Sequence, residues 1–353
     1  VQHTSRDVGT RLARETAEIP QRVAAQIDAQ ALRYREIGAG LKAMRPVAAA
    51  TLARGSSDHA ATFLKYLCEM RVGVPVASLG PSLASVYGCR LRLSNMVSFA
   101  LSQSGRSPDL VAFQRMAGEQ GARTIALVNT VASPLAEVSL DVADIGAGVE
   151  EAVAASKSFV CTLSAAAAIV DAWAGDSGLA AALADLPECL HRALACDWSG
   201  LLLPVAAHAS SVYVIARGPG LAVAQEAALK LKETCELHAE SFSAAEVMHG
   251  PIQLAAGDLC ALVFLSRDAA RPGLVSAVER LAATGTRVFV ADPLGEVGGS
   301  AGVTALPCVA APDPLLDPLC QITSLYRFVD HLARGRGLDP DRPRLLKKVT
   351  ETI

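Results

Sequence analysis

The sequence predicts an α/β protein of two tandem, doubly wound parallel sheets, with a helical lead-in and an irregular C-terminal tail. Three observations predict it. The chain of 353 residues is long enough for two cores of ordinary size. One unit occurs in it twice, and within each copy short apolar runs alternate with segments of helical period.

The repeat is visible residue by residue. Residues 99–128 (FALSQSGRSPDLVAFQRMAGEQGARTIALV) run parallel to residues 263–291 (VFLSRDAARPGLVSAVERLAATGTRVFVA). Leu101 and Ser102 match Leu265 and Ser266, Pro108 matches Pro272, and Gly121 matches Gly285, all at one offset of 164. Upstream, residues 51–57 (TLARGSS) match 214–220 (VIARGPG) at an offset of 163. Four anchors at nearly one spacing indicate a duplication.

Residues 47–53, 96–101 and 124–128 read as strands of the first copy, and 212–216, 260–265 and 287–291 as strands of the second. Amphipathic helical spacing fills 108–118 and 273–283. Strands alternating with helices imply a parallel sheet covered on both faces. Ligands of such sheets bind beyond the carboxyl ends of the strands, so the turns directly after the strands matter most. The expected organisation is a helical segment over 1–45, a first domain over 46–175 and a helical linker over 176–199. A second domain over 200–333 and a tail over 334–353 complete it.

Composition narrows the function. Hydrophobic residues make up 51% of the chain and aromatics only 4%, which suits helices on parallel strands. A net charge of −3 and a pI near 6.2 argue against a nucleic-acid partner. The mean hydropathy of +0.33 raises the membrane question. The longest uncharged stretch, 198–216, contains Pro204, His208, Ser210 and Ser211 and reads as a loop leading into a strand. No membrane span and no secretory signal are expected. The nine cysteines are odd in number and lack CxxC or Cys/His ligand spacing. They read as reduced core residues of a cytoplasmic protein, with neither a metal site nor a cofactor expected.

Two stretches could carry chemistry. The turn Ser102-Gln103-Ser104-Gly105-Arg106-Ser107-Pro108 follows a strand and opens a helix, and Ser56 and Ser57 follow the neighbouring strand. Hydroxyls and backbone N–H groups at helix N-termini form anion sites, although a lone serine there is commonly just a cap. Two such turns at equivalent positions favour an anion, and only the first copy has them. The second stretch, 225–236 (QEAALKLKETCE), puts Glu226, Lys230 and Glu233 on one helix face. Alone, that spacing suits a solvated salt-bridge ladder. His249, before Gly250 and Pro251, would alone be structural.

Taken together, segments 102–105, 148–159, 227–233, 238–251 and 341–350 resemble the isomerase half of glutamine–fructose-6-phosphate aminotransferase. They resemble still more its shorter relatives, the glucosamine-6-phosphate deaminases of the double sugar-isomerase (SIS) family. The likeness runs from about residue 53 to the C-terminus, and the ALKLKE and His-Gly-Pro blocks make it specific. It implies a cofactor-free enzyme on a phosphorylated amino sugar, working as a homodimer with shared active sites. By motif position, Ser57, Ser102, Gln103, Ser104 and Ser107 would hold the phosphate, with Ser56 beside them. Glu150 and Val153 would line the sugar pocket, and Glu233 would be the acid/base beside Lys230. His249 would assist ring opening from the neighbouring subunit.

A tail lysine would lie over the open-chain sugar. Anchoring on Pro343 and Arg344 selects Lys348, whereas anchoring on Val349 and Thr350 selects Lys347; Lys348 is preferred. The sequence departs from the synthase pattern at Arg106 and Ala155, and the glutaminase region is not among these residues. On that ground a deaminase is expected, running from amino-sugar 6-phosphate to ketose 6-phosphate and ammonia. A plain aldose–ketose isomerase, or the isomerase-type subunit of a synthase, would use the same groups. A non-catalytic phosphosugar sensor is the alternative of another class, and the lead-in lacks the helix-turn-helix such regulators usually carry.

Overall fold

The computed structural model describes residues 9–175, 178–206, 208–256, 258–346 and 348. The lead-in forms α1 (Arg11–Ala17) and α2 (Ile19–Met44). The hydroxyl of Thr10 caps α1 by accepting the N–H of Ala13 at 3.0 Å. Pro20 lies in the first turn of α2, where its missing N–H costs nothing.

The first copy runs β1 (Ala48–Leu52), α3 (Ser56–Leu67), β2 (Val76–Ser78), α4 (Ser82–Ser85), β3 (Met96–Ser102) and α5 (Pro108–Glu119). It continues through β4 (Arg123–Val128), α6 (Pro134–Glu137), β5 (Asp141–Asp144) and α7 (Lys157–Ala174). All pairings are parallel, in the order β2-β1-β3-β4-β5. The central strands β1, β3 and β4 are almost wholly buried, which explains why they read as unbroken apolar runs.

Helices α8 (Gly178–Ala195) and α9 (Ser199–Ala206) lead to the second copy. It runs β6 (Ser211–Ala216), α10 (Gly220–Cys235), β7 (Ala239–Ser243), α11 (Ala244–Met248), β8 (Leu259–Phe264) and α12 (Arg271–Ala283). Then come β9 (Arg287–Ala291), β10 (Val303–Leu306) and α13 (Asp317–Gly335). Its parallel order, β7-β6-β8-β9-β10, repeats that of the first sheet. Each sheet reverses its strand order once, between β1 and β3 and between β6 and β8. Those switch points are where a ligand crevice opens in a doubly wound sheet.

The structure corrects one local expectation. Residues 199–206 form α9 rather than a loop, despite Pro204. Packing outweighs the lost helical N–H there: Trp198 and Leu202 are buried, and the Trp198 indole donates to the Pro307 carbonyl at 2.8 Å. Helix α7 is long and apolar enough to cross a membrane by length and composition, but 83% of it is buried inside the protein. Its main partner is α2, and Gly38 permits the close approach, because a Cβ there would lie 2.5 Å from that of Ala172. The nine cysteines are unpaired, six of them buried and three half-buried.

Candidate functional site

The register Leu52↔Ala100 sets the turns after β1 and β3 side by side at the first switch point. Ser56 and Ser57 open α3, whose cap is Gly55, and Ser107 is the cap residue of α5. The Ser107 side chain makes no capping hydrogen bond, so ordinary capping does not account for it. Ser102 is buried and its Oγ accepts the N–H of Gly105 at 3.1 Å; Ser104 Oγ accepts that of Arg106 at 3.3 Å. Gly105 has φ +64°, and a Cβ on it would lie 2.2 Å from Ser133 Oγ, so the turn requires glycine. Arg54 ties the two turns together, donating through Nε and Nη2 to the buried Asp109 Oδ2 at 3.1 and 2.7 Å. Ser56, Ser57 and Gln103 line one small recess with Ala155, Ser158, Phe159 and Thr162.

The second copy reaches the same place through α10, which packs on α3. Glu226 is fully buried and sits at the centre of a polar cluster. Its Oε1 accepts from Ser56 Oγ at 3.0 Å and from Tyr326 OH at 3.3 Å, with Lys230 Nζ at 3.4 Å. Its Oε2 lies 3.0 Å from His59 Nδ1. Lys230, also buried, donates to Glu233 Oε2 at 2.5 Å, and Glu233 keeps 23% of its side chain exposed. The three charges are therefore a buried row ending in one accessible carboxylate, not a solvated ladder. Burial alone would lower the Lys230 pKa, but Glu226 and Glu233 outweigh it and hold the pKa above the ordinary lysine value. Burial, reinforced by Glu226 and Glu150, pushes the Tyr326 phenol well above its usual range, so it remains a donor.

The loop after β5 forms the third side. Glu150 is buried and accepts the N–H groups of Ser156 and Ser158 at 3.0 and 3.1 Å and the Ser158 hydroxyl at 2.6 Å. Lys348 Nζ lies 3.2 Å from Glu150 Oε2 and donates to the Ala152 carbonyl at 2.6 Å. Burial would raise the Glu150 pKa, yet Lys348 and the donors of Ser158 and Ser156 bring it below the ordinary value. Glu150 thus organises its loop and receives the tail lysine, with its carboxylate fully engaged. Val153 is half-buried in the same loop, and Lys347 lies outside the described residues.

His249 is not brought to this cluster within one chain. It caps α11 and lines a separate recess with Tyr66, Gln225, Phe242 and Glu246. The turns of the second copy are also committed elsewhere: Ser266 Oγ donates to Asp268 at 2.6 Å, and Arg267 grips Asp317 at 2.7 and 2.8 Å. Among the described residues no cluster of His, Cys, Asp and Glu could hold a metal ion.

A family model for the SIS domain matches residues 48–172 and 207–291, covering the first sheet and four of the five strands of the second. The chain belongs to the SIS-domain family. It is 31% identical over 310 residues to the glutamine–fructose-6-phosphate aminotransferase (isomerizing) of Halobacterium salinarum, which covers 84% of this chain and 50% of that one. The chain thus spans about half the length of the curated relatives it matches. A crystal structure from Silicibacter pomeroyi, of a protein provisionally designated a phosphosugar isomerase, is 46% identical. It covers 94% of this chain and all of that one, with a TM-score of 0.89. The glucosamine-6-phosphate deaminase of Thermotoga maritima shares the fold, at 18% identity and a TM-score of 0.79 over 97% of this SIS-family chain and all of that one.

Sequence reasoning missed His59 and Tyr326, and placed Glu226 in the ladder, with the acid/base role only as the next candidate after Glu233. His59 lies three residues after Ser56, one helical turn on, and that spacing was a usable signal. Tyr326 sits 100 residues beyond Glu226 on α13, and only the tertiary fold joins them.

Proposed function

We propose that this SIS-family chain is a phosphosugar isomerase in its chemistry, moving a proton between C1 and C2 of an open-chain hexose 6-phosphate. It would work either as an isomerase or as the isomerase part of an aminotransferase. The observation that carries the reading is the convergence of hydroxyl-bearing turns of the first copy with the buried Glu226–Lys230–Glu233 row of the second. The expected deaminase rested on the lack of a glutaminase region, whereas the curated relatives at about this length of match are aminotransferases. That likeness supports the isomerase and aminotransferase alternatives over the deaminase.

In this mechanism the turns at Ser57 and at Ser102, Gln103, Ser104 and Ser107 hold the phosphate remote from the reacting carbons, supplying orientation. Glu233, the accessible end of the row, takes the proton from one carbon and returns it to its neighbour. Lys230, buried and charged between two carboxylates, holds Glu233 in place through its 2.5 Å hydrogen bond rather than meeting the substrate itself. Lys348 stands at the sugar loop, where a cation can meet the open-chain carbonyl end. Glu226 keeps Lys230 and Ser56 in place and is too buried to meet a substrate.

The test is proton exchange in deuterated water, followed by NMR, with glucose, fructose and glucosamine 6-phosphates, each with and without ammonia. Exchange at C1 or C2 is expected with at least one sugar and is lost in Glu233→Gln. Tight phosphosugar binding without exchange in any of these mixtures would replace the reading with that of a sensor. Ammonia release from glucosamine 6-phosphate would restore the deaminating direction.

A further inference from the structure

The lead-in helix α1 touches both parts of the site that carry Lys348, the sugar loop and the tail. Asp341, in the tail, accepts the backbone N–H groups of Arg11 and Leu12 at 2.6 and 2.9 Å, one through each carboxylate oxygen. Glu15, one turn along α1 and buried, accepts the N–H groups of Glu151 and Ala152 in the sugar loop at 2.5 and 3.2 Å. The Arg11 side chain reaches Glu151 at 3.7 Å. Behind them the Thr10 hydroxyl donates to Asp330 of α13, fixing α1 to the second copy. Lys348 then closes the circuit, donating to Ala152 and meeting Glu150 in the loop that Glu15 holds from the other side.

We propose that α1 is a positioning element for the reaction, with Asp341 and Glu15 as its two grips, and that Asp341 sets where Lys348 stands. Six residues separate Asp341 from Lys348, so a tail released at Asp341 leaves Lys348 to sample many positions. Asp341 itself touches neither the serine turns nor Glu233, and its effect is exerted through the lysine. This inference rests on the reading of Lys348 as a working residue of the proposed site.

The experiment compares Asp341→Ala, Asp341→Asn and Lys348→Ala in the full chain, using the exchange assay, inorganic phosphate binding and limited trypsin digestion. Asp341→Ala is expected to lower kcat by about 10- to 100-fold, the scale of a small misplacement of a reacting group. Phosphate affinity should stay within about twofold, because the serine turns are untouched. Asparagine keeps one of the two acceptors, so Asp341→Asn should recover part of kcat, between wild type and Asp341→Ala. Trypsin should cut after the exposed Arg344 faster in Asp341→Ala than in wild type or Asp341→Asn. If Lys348→Ala is inactive while Asp341→Ala keeps wild-type kcat, the positioning role is wrong and the lysine reading stands. If Lys348→Ala is itself fully active, the lysine reading fails and the role of Asp341 fails with it.

Discussion

Replacing Lys230 with methionine tests whether the carboxylate row is held together as the geometry says. Methionine fills a similar volume but removes the ammonium between Glu226 and Glu233. Glu233 is partly exposed and can turn to water, but Glu226 is fully buried and loses the one lysine or arginine within 4.0 Å of it among the described residues. Removing one partner of a buried pair costs about 3–5 kcal/mol. Ser56, Tyr326 and His59 still bond Glu226, so the lower end, about 3 kcal/mol, is expected. That is affordable for a fold stable by about 5–15 kcal/mol. With an m-value near the top of the usual range, about 3 kcal/mol/M in urea, the midpoint falls by about 1 M.

The decisive arm is the double variant. Glu226→Gln removes the buried charge that Lys230→Met strands, so the pair should be less destabilised than the sum of the singles by about 1–3 kcal/mol. Strict additivity in urea unfolding would refute the coupling. The pH dependence follows from sign. The Lys230 pKa is raised in the folded state, so its contribution is complete below the unfolded value of about 10.5 and fades only as pH rises through the higher folded value. The difference between wild type and Lys230→Met should therefore be flat from about pH 7 to pH 9.

Two further outcomes are expected. Gly105→Ala forces a Cβ onto Ser133 Oγ at a positive φ, so affinity for inorganic phosphate and for a hexose 6-phosphate should fall at least tenfold by calorimetry, a strain of about 1–3 kcal/mol; unchanged affinity would remove this turn from the site. Inactive Glu233→Gln and His249→Ala proteins, unfolded and refolded together, should regain part of the exchange activity if His249 completes a partner's site; no recovery, with mixed dimers confirmed by mass, would confine both residues to one chain's site or exclude His249.

Much of the fold was legible because the duplication supplied two independent readings of one pattern. Strands β1, β3, β4, β6, β8 and β9 are buried on both faces, and their apolar runs stand out. The edge strands β2, β5, β7 and β10 are partly exposed, and β2, β5 and β10 have only three or four residues, so no unbroken buried run marks them. The serine turns were legible for the same reason as the central strands, since they follow them directly. The state of Glu226 was not. A glutamate at i with a lysine at i+4 looks the same on a solvated face as on a buried one, and only the packing of α10 against α3 and α13 decides between them.

That packing also explains why the two copies diverged in their turns. The first copy leaves hydroxyls at its switch point and charges at the start of α5 only as the Arg54–Asp109 clasp between turns. In the second copy the equivalent crevice is filled by its own side chains: Arg267 bonds Asp317 and the Ala311 carbonyl, and Asp317 in turn accepts the N–H of Ala311. Ser266 is spent on Asp268, whose negative charge would repel a phosphate. A duplicated sheet has two such crevices, but α10 leaves the second copy to serve the first one's site. Under the proposed mechanism the acid/base Glu233 lies on α10, which packs against α3. Internal ion pairs then stabilise that crevice at no cost to the chemistry. The asymmetry between the copies follows from the direction in which α10 buries its charged face.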